Sequence, residues 1–447
     1  MTHLAVSEWG RVPIGTAADA FTPAQAAALI AAAQAHPLGG EEGIGIVSHR
    51  LTHLRAAQMV GVLAAEGSSL EILPKVDPDA PEPATEPERK EAARTVRNRL
   101  VHMIALAIGL DLGAGETATM ARQDASLLDI LIRLFADRLL AETRRGLPRA
   151  YLAHEEDLPA LRGRLDVVRQ FTVHAVRPDR LACRYDALSS DIPLLQAMKA
   201  CVVFLGSHAR VPETRRRLDE LRFVLADIAD VAPRDIPWQR IEIDRTRRRW
   251  EALLELAKLF LGRQWQATHH DDARGAGLSL LFPMNDLFER YVAALLPRAL
   301  AGTGCTTDAQ GGHKFCLTDE GPPARQLFQT RPDLIVRDAA GDAAMVIDTK
   351  WKRLHPTVDD AKQGVSQGDV YQLMAYGRLY ECPDLVLLYP HHAGLGADRF
   401  ERAFLIRPCH SQRLRFASVD VSLNEQDVVQ QLHHLIMSSL PHRARAG

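Results

Sequence analysis

Two short apolar runs, Leu334-Ile335-Val336 and Met345-Val346-Ile347, flank a Gly341-Asp342 turn and constrain this chain more than any other stretch. Runs of strand-forming residues around a Gly-Asp turn read as the two strands of a hairpin. Pro332-Asp333 opens the first strand, and Asp348-Thr349-Lys350 closes the second. A hairpin returns its two ends to one edge of the sheet, so two carboxylates and an ammonium gather there. Asp348 and Lys350 lie two apart and therefore share a strand face. The same spacing also describes a salt bridge between a strand aspartate and a lysine, and only the surroundings separate the two readings.

The triplet D/E-x-K occurs three times, as Glu88-Arg89-Lys90, Asp348-Thr349-Lys350 and Asp360-Ala361-Lys362. The first lies beside a proline-rich acidic stretch and the third follows an acidic turn. Only the middle one follows an apolar run whose partner strand begins with Pro-Asp. Mg²⁺ binds through one or two carboxylates and keeps several waters, so Asp333, Asp348 and the carbonyl of Thr349 are the expected ligands. Such an ion acidifies bound water and screens charge on a phosphodiester under attack. Lys350 is placed to orient that water or stabilise the phosphorane. Gln372 and Tyr376, four apart, share a helix face pointing over the sheet edge. Tyr371 and Lys352 are further candidates for substrate contact. Glu289 is either another acid near the metal or a solvated helix charge.

At 447 residues the chain is long enough for two or three domains. A net charge of −2 provides no global basic field, so any DNA contact rests on local patches or on a partner. Six scattered cysteines without a C-x-x-C pair suggest reduced thiols in a cytoplasmic protein. The opening residues lack a signal-peptide profile, and no apolar run approaches a membrane span. No G-x-x-x-x-G-K-[ST] motif occurs, so the chain is not itself a P-loop NTPase. His269-His270-Asp271-Asp272 reads as a polar loop or a metal site. The clusters Arg215-Arg216-Arg217 and Arg247-Arg248-Arg249 read as a solvated helix face or as a phosphate or partner surface.

The expected organisation is α/β (α+β), with residues 1–270 forming an N-terminal region and 278–447 a second domain. Within the first, 1–80 is β-rich, with strands at 43–47, 60–63 and 69–75 and a helix at 23–35 started by Thr22. Residues 77–87 read as a linker and 88–270 as largely helical, with one β-like interval that has 161–166 and 181–186 at its ends. Helices are expected at 192–208, 211–230 and 244–261. The last third reads as a helix (282–300), strands near 314–317, 325–329, 334–336 and 344–348, a second helix (369–380), then strands at 385–389 and 403–407.

The Pro-Asp and Ile347-Asp348-Thr349-Lys350-Trp351-Lys352 pair has the shape of the PD-(D/E)xK nuclease signature. Together with Leu281 to Glu289 and Asp369 to Gly377, it resembles the McrC family, nuclease subunits of McrBC modified-cytosine restriction systems. Glu8-Trp9-Gly10-Arg11, Leu70 to Lys75, Leu161 to Asp166 and Tyr185 to Ser189 also resemble that family's pattern, which the chain leaves at Asp191 to Gln196. The resemblance implies a C-terminal restriction-endonuclease-like domain with a mixed sheet flanked by helices, and an N-terminal partner-docking region. It implies an AAA+ GTPase partner, a McrB-like hexamer, that binds the GTP and recognises double-stranded DNA with modified cytosine such as 5-methylcytosine. The chain itself would cut DNA with Mg²⁺ and stimulate the partner's GTP hydrolysis. Two alternatives are a non-catalytic adaptor that activates a GTPase and a stand-alone DNA repair nuclease.

Overall fold

A computed structural model describes residues 2–40, 43–65, 67–75, 85–110, 125–177, 179–261, 279–321, 324–355, 365–396, 400–407 and 412–438. Most of the acidic linker, the His269–Asp272 cluster, the third D/E-x-K triplet and Cys409 fall outside them. The five described cysteines that remain are all free thiols.

The chain is α/β, with mixed sheets flanked by helices. It forms two compact units that do not follow chain order. One combines Met1–Leu127 with His269–Gly447, and the other is Leu128–Thr268. The sequence reading places residues 1–270 in one region and 278–447 in another, whereas here the first 127 residues share a unit with the C-terminal segment. The physical reason is a shared sheet. Thr2–Ser7 pairs in parallel with Ser68–Leu73, which pairs antiparallel with Met59–Ala65. Met59–Ala65 is completed on its other edge by Leu280–Pro283, whose last residue leads into the Met284–Ala299 helix.

Local signals account for the helices of this unit. Pro23–Ala35 begins at Thr22, whose side chain caps Gln25 while Gln25 returns the bond. That reciprocal box satisfies amides the helix itself leaves open. Glu86–Ala107 starts the same way, with Thr85 and Glu88 bonded reciprocally. The acid of the first D/E-x-K triplet is thereby used as a helix cap. The strand expected at 43–47 forms only at Val47–Arg50, because Gly43 takes φ +74° and closes a turn with Ile46.

The C-terminal segment builds a six-stranded mixed sheet in the order Thr306–Ala309, Leu334–Arg337, Ala343–Thr349, Asp384–Pro390, Arg413–Val419, Glu401–Leu405. The hairpin is present, and its turn is tied by Asp338, whose Oδ1 accepts from the amides of Ala340 and Asp342. Ala343–Thr349 and Asp384–Pro390 run parallel, as do Asp384–Pro390 and Arg413–Val419. Asp384–Pro390 is buried throughout, as expected of a strand covered on both faces. Gln367–Leu379 packs over one face, where Leu373 and Tyr376 join Ile335, Val346 and Leu387 in a core. Sequence patterning missed Arg413–Val419 because its arginines mask the apolar alternation. Arg415 is buried and neutralised by Asp384 at 3.0 Å and Glu401 at 2.9 Å.

The middle unit carries the helices Leu127–Arg144, Pro193–Gly206, Pro212–Val224 and Glu251–Phe260 around a sheet of Ala150–Leu158, Leu181–Ser189 and Arg164–Leu165. Leu127, Leu131, Leu134, Phe135 and Leu139, recurring at three and four spacing, form a buried stripe. Acids answer the basic clusters here: Arg217 pairs with Asp137 and Glu213, and Arg249 with Glu142.

Gly61 is where the two halves of the first unit meet most closely. Its φ is +127°, and a Cβ there would stand 1.9 Å from the Leu280 carbonyl oxygen. Gly61→Ala is expected to cost about 3 kcal/mol or more, by strain and by pushing the two strands apart. Gly67→Ala, at φ +70° with nothing nearby, should cost only about 1 kcal/mol. Urea midpoints of the two variants check the contrast.

Candidate active site

The hairpin register continues one step past its last pair, Leu334 with Ile347, to set Asp333 across from Asp348. Both lie where the strands end. Asp348 is 1 % exposed. Asp333 Oδ2 accepts from the Thr349 amide at 2.7 Å and its hydroxyl at 2.9 Å. Thr349, expected to contribute a carbonyl, thus also anchors the opposite carboxylate. Lys350 Nζ stands 2.6 Å from Asp348 Oδ2 but off the angle of a hydrogen bond, and that buried oxygen receives none from elsewhere.

The electrostatics follow from burying like charges together. Burial, and then the Glu289 charge, push the Asp333 carboxyl up to about 6, against the pull of the Thr349 bonds and Lys350. Burial, and then the charge of Asp333, push Asp348 up to about 6 as well, with Lys350 working the other way. Burial disfavours the charged form of Lys350, but Asp348, Asp333 and Asp369 outweigh it and raise its pKa. Lys350 therefore stays an ammonium and cannot serve as a base at neutral pH.

Glu289 belongs to the same electrostatic cluster. Its carboxyl is raised chiefly by burial, opposed by a 3.0 Å hydrogen bond from Gln310. Gln372 Nε2 donates to the Tyr376 hydroxyl at 2.9 Å, which donates to the Arg331 carbonyl at 3.4 Å. Burial and the fields of Asp348 and Asp333 raise the Tyr376 phenol, which ties it to the carboxylates. Lys352 reaches Asp369 at 3.2 Å. Tyr371 is 60 % exposed and bonds to Gln367, so its described contact points along its own helix.

Sequence reasoning passed over Asp369 and Asn285. Asp369 closes the capping box with Ser366 and acts on both Asp348 and Lys350. The S-x-x-D spacing was a readable signal for it. Asn285 Oδ1 accepts from the Trp351 amide at 3.0 Å, a tertiary contact with no sequence signature.

Among the described residues no three His, Cys, Asp or Glu converge as a metal cage. The two opposed aspartates nevertheless suit a hard cation that takes one or two carboxylates and fills its shell with water. Asp348 Oδ2 already faces the Lys350 ammonium at 2.6 Å, so an ion held there would share that carboxylate with the lysine.

A family profile described as "McrBC 5-methylcytosine restriction system component" matches residues 54–390. No curated protein matches the chain significantly. The structure is similar, with a TM-score of 0.67 and 20 % identity over 98 % of this chain and 100 % of the other, to one described as "Refined half-complex from tetradecameric assembly of Thermococcus gammatolerans McrB AAA+ hexamers with bound McrC". A second, "Cryo-EM structure of the Thermococcus gammatolerans McrBC complex", gives 0.52 and 22 % identity over 67 % of this chain and 88 % of the other. At these identities the likeness is one of fold.

Asp348→Asn removes a carboxylate whose charge the fold resists. Groups held above their unfolded pKa stabilise most at low pH and lose that contribution as pH rises through the folded value. Without divalent cation, the variant is therefore expected to exceed the parent in stability by about 1–3 kcal/mol above pH 7. The advantage should shrink between pH 6 and pH 4, the window between the folded value of about 6 and the ordinary 3.8. Thermal unfolding across that range checks it.

Proposed function

The chain belongs to the family of McrBC 5-methylcytosine restriction system components, and from that premise we propose that it is the Mg²⁺-dependent nuclease subunit of a GTP-dependent complex that cuts DNA carrying modified cytosine. The observation that carries the reading is the pair Asp333 and Asp348, opposed at strand ends with Lys350 at 2.6 Å from the second. Two buried acids facing each other weaken a fold, which argues for a chemical use.

Asp333 and Asp348 would hold the ion, with the Thr349 carbonyl as a third oxygen. When bound, Mg²⁺ supplies a more acidic water and a positive charge beside the phosphate. The chain's own part is positional. Thr349 fixes Asp333, while Asp348 fixes Lys350 as a cation that stabilises the charge growing on the phosphorane. Tyr376 and Gln372, bonded to each other on the neighbouring helix, would meet the substrate from that side. Glu289 is a further acid at the edge of the site.

The partner in this reading is an AAA+ hexamer of the McrB kind, which binds GTP and selects the modified DNA. The middle unit exposes large apolar side chains that a docked partner would cover. Val168 and Phe171 are 75 % and 72 % exposed, and Tyr151 and Leu188, partners across the sheet, are 73 % and 52 % exposed. A stand-alone repair nuclease has no use for such a surface. An adaptor without chemistry has no use for the buried aspartates.

Asp348→Ala is expected to abolish DNA cleavage with the GTPase partner, GTP and Mg²⁺, by more than about 100-fold, while GTPase stimulation stays at the parent's level. Loss of both activities in a folded variant would make Asp348 structural. Val168→Asp with Phe171→Asp should act at the docking step instead, lowering GTPase stimulation and, with it, partner-dependent cleavage. Steady-state GTP hydrolysis and plasmid linearisation measure the two.

A further inference from the structure

Glu8 lies far from the cutting strand in sequence and is buried, with 3 % of its surface exposed. Its Oε2 accepts from the indole Nε1 of Trp351 at 3.0 Å and from the Lys75 amide at 3.0 Å. Trp351 directly follows Lys350. Its backbone is held at both ends, the amide by Asn285 at 3.0 Å and the carbonyl by Gln58 at 2.8 Å. Its ring meets Phe288 edge-on at 5.5 Å. The chain leaves the sheet at this point: Lys350 still donates to Leu388 at 2.9 Å, and Lys352 already bends back to the Lys350 carbonyl at 3.0 Å. The path of the backbone just beyond the lysine is therefore set by side chains from Glu8, Gln58 and Asn285.

This arrangement does not serve stability alone. The other oxygen of Glu8, Oε1, is buried and receives no hydrogen bond. Desolvation holds the carboxyl up at about 7 against both of its donors. A buried acid left half satisfied costs folding free energy. What the contact secures is the orientation of one peptide beside the cutting lysine.

We propose that Glu8 is a positioning residue of the nuclease site, holding Trp351 so that Lys350 stays against Asp348. The inference rests on the nuclease reading above and adds that the first strand's turn completes the site. Glutamine at position 8 still accepts the indole N–H and the Lys75 amide through its carbonyl oxygen. Alanine accepts neither.

The test uses the full chain with its GTPase partner, GTP and Mg²⁺, reading single-turnover DNA cleavage, its dependence on DNA concentration, and GTP hydrolysis. Glu8→Ala and Trp351→Phe, which keeps the ring and loses the donor, should each slow cleavage about tenfold or more. Glu8→Gln should recover most of the rate. The double variant Glu8→Ala, Trp351→Phe should be no slower than the slower single one. Half-saturating DNA and GTPase stimulation should stay within about twofold of the parent, a smaller change than the rate loss expected from misplacement. Parent-like cleavage in both single variants, multiplied losses in the double, or a parallel fall in GTPase stimulation would overturn the proposal. Should Glu8→Ala fail to fold, Trp351→Phe against the parent decides. A parent that cuts no DNA while stimulating GTP hydrolysis would remove the nuclease reading and this inference together. A cutting parent, a dead Asp348→Ala and unaffected clasp variants would remove only the inference.

Discussion

Two carboxylates facing each other across neighbouring strands, largely out of water, repel one another, and the rest of the first unit is arranged around that repulsion. Desolvation and like charge together raise both groups toward protonation. Two features oppose the rise: the paired donors of Thr349 on Asp333 and the ammonium of Lys350, while the ladder on either side keeps the carboxylates close. Neither cancels it. The protein retains a local excess of negative potential in a site of low polarity, the condition under which a cation binds best.

The local chemistry was legible from sequence because it depends on short-range rules. Alternation of side chains puts Asp348 and Lys350 on one face, and a Gly-Asp turn returns Asp333 to them. Capping boxes set the starts of the helices at Thr22, Thr85 and Ser366. The readings failed where burial contradicts composition. Arg413–Val419 hid behind its arginines because Asp384 and Glu401, distant in sequence, neutralise the central one. The strand expected at Gly43 to Val47 gave way to a left-handed glycine.

Partition of the chain was the least legible property. Residues 1–75 carry an ordinary small β pattern that fits either neighbour, and only the pairing of Met59–Ala65 with Leu280–Pro283 decides. The contacts of Glu8 and Gln58 with Trp351 follow from that pairing. Segments such as Glu8 to Arg11 therefore read as family pattern without a reason until the fold supplies one. In this fold Glu8 and Gln58 hold the residue that follows Lys350.

The discontinuity of the first unit has a consequence during synthesis. The ribosome releases the N-terminal strands first and then the whole middle unit, which contains all of its own sheet and can close early. The six-stranded sheet cannot close until Arg413–Val419 has emerged, since that strand separates Asp384–Pro390 from the edge strand Glu401–Leu405. Asp333 and Asp348 thus lack the complete sheet until most of the chain has been made. The surface of the middle unit is therefore complete before the paired aspartates have the full sheet around them.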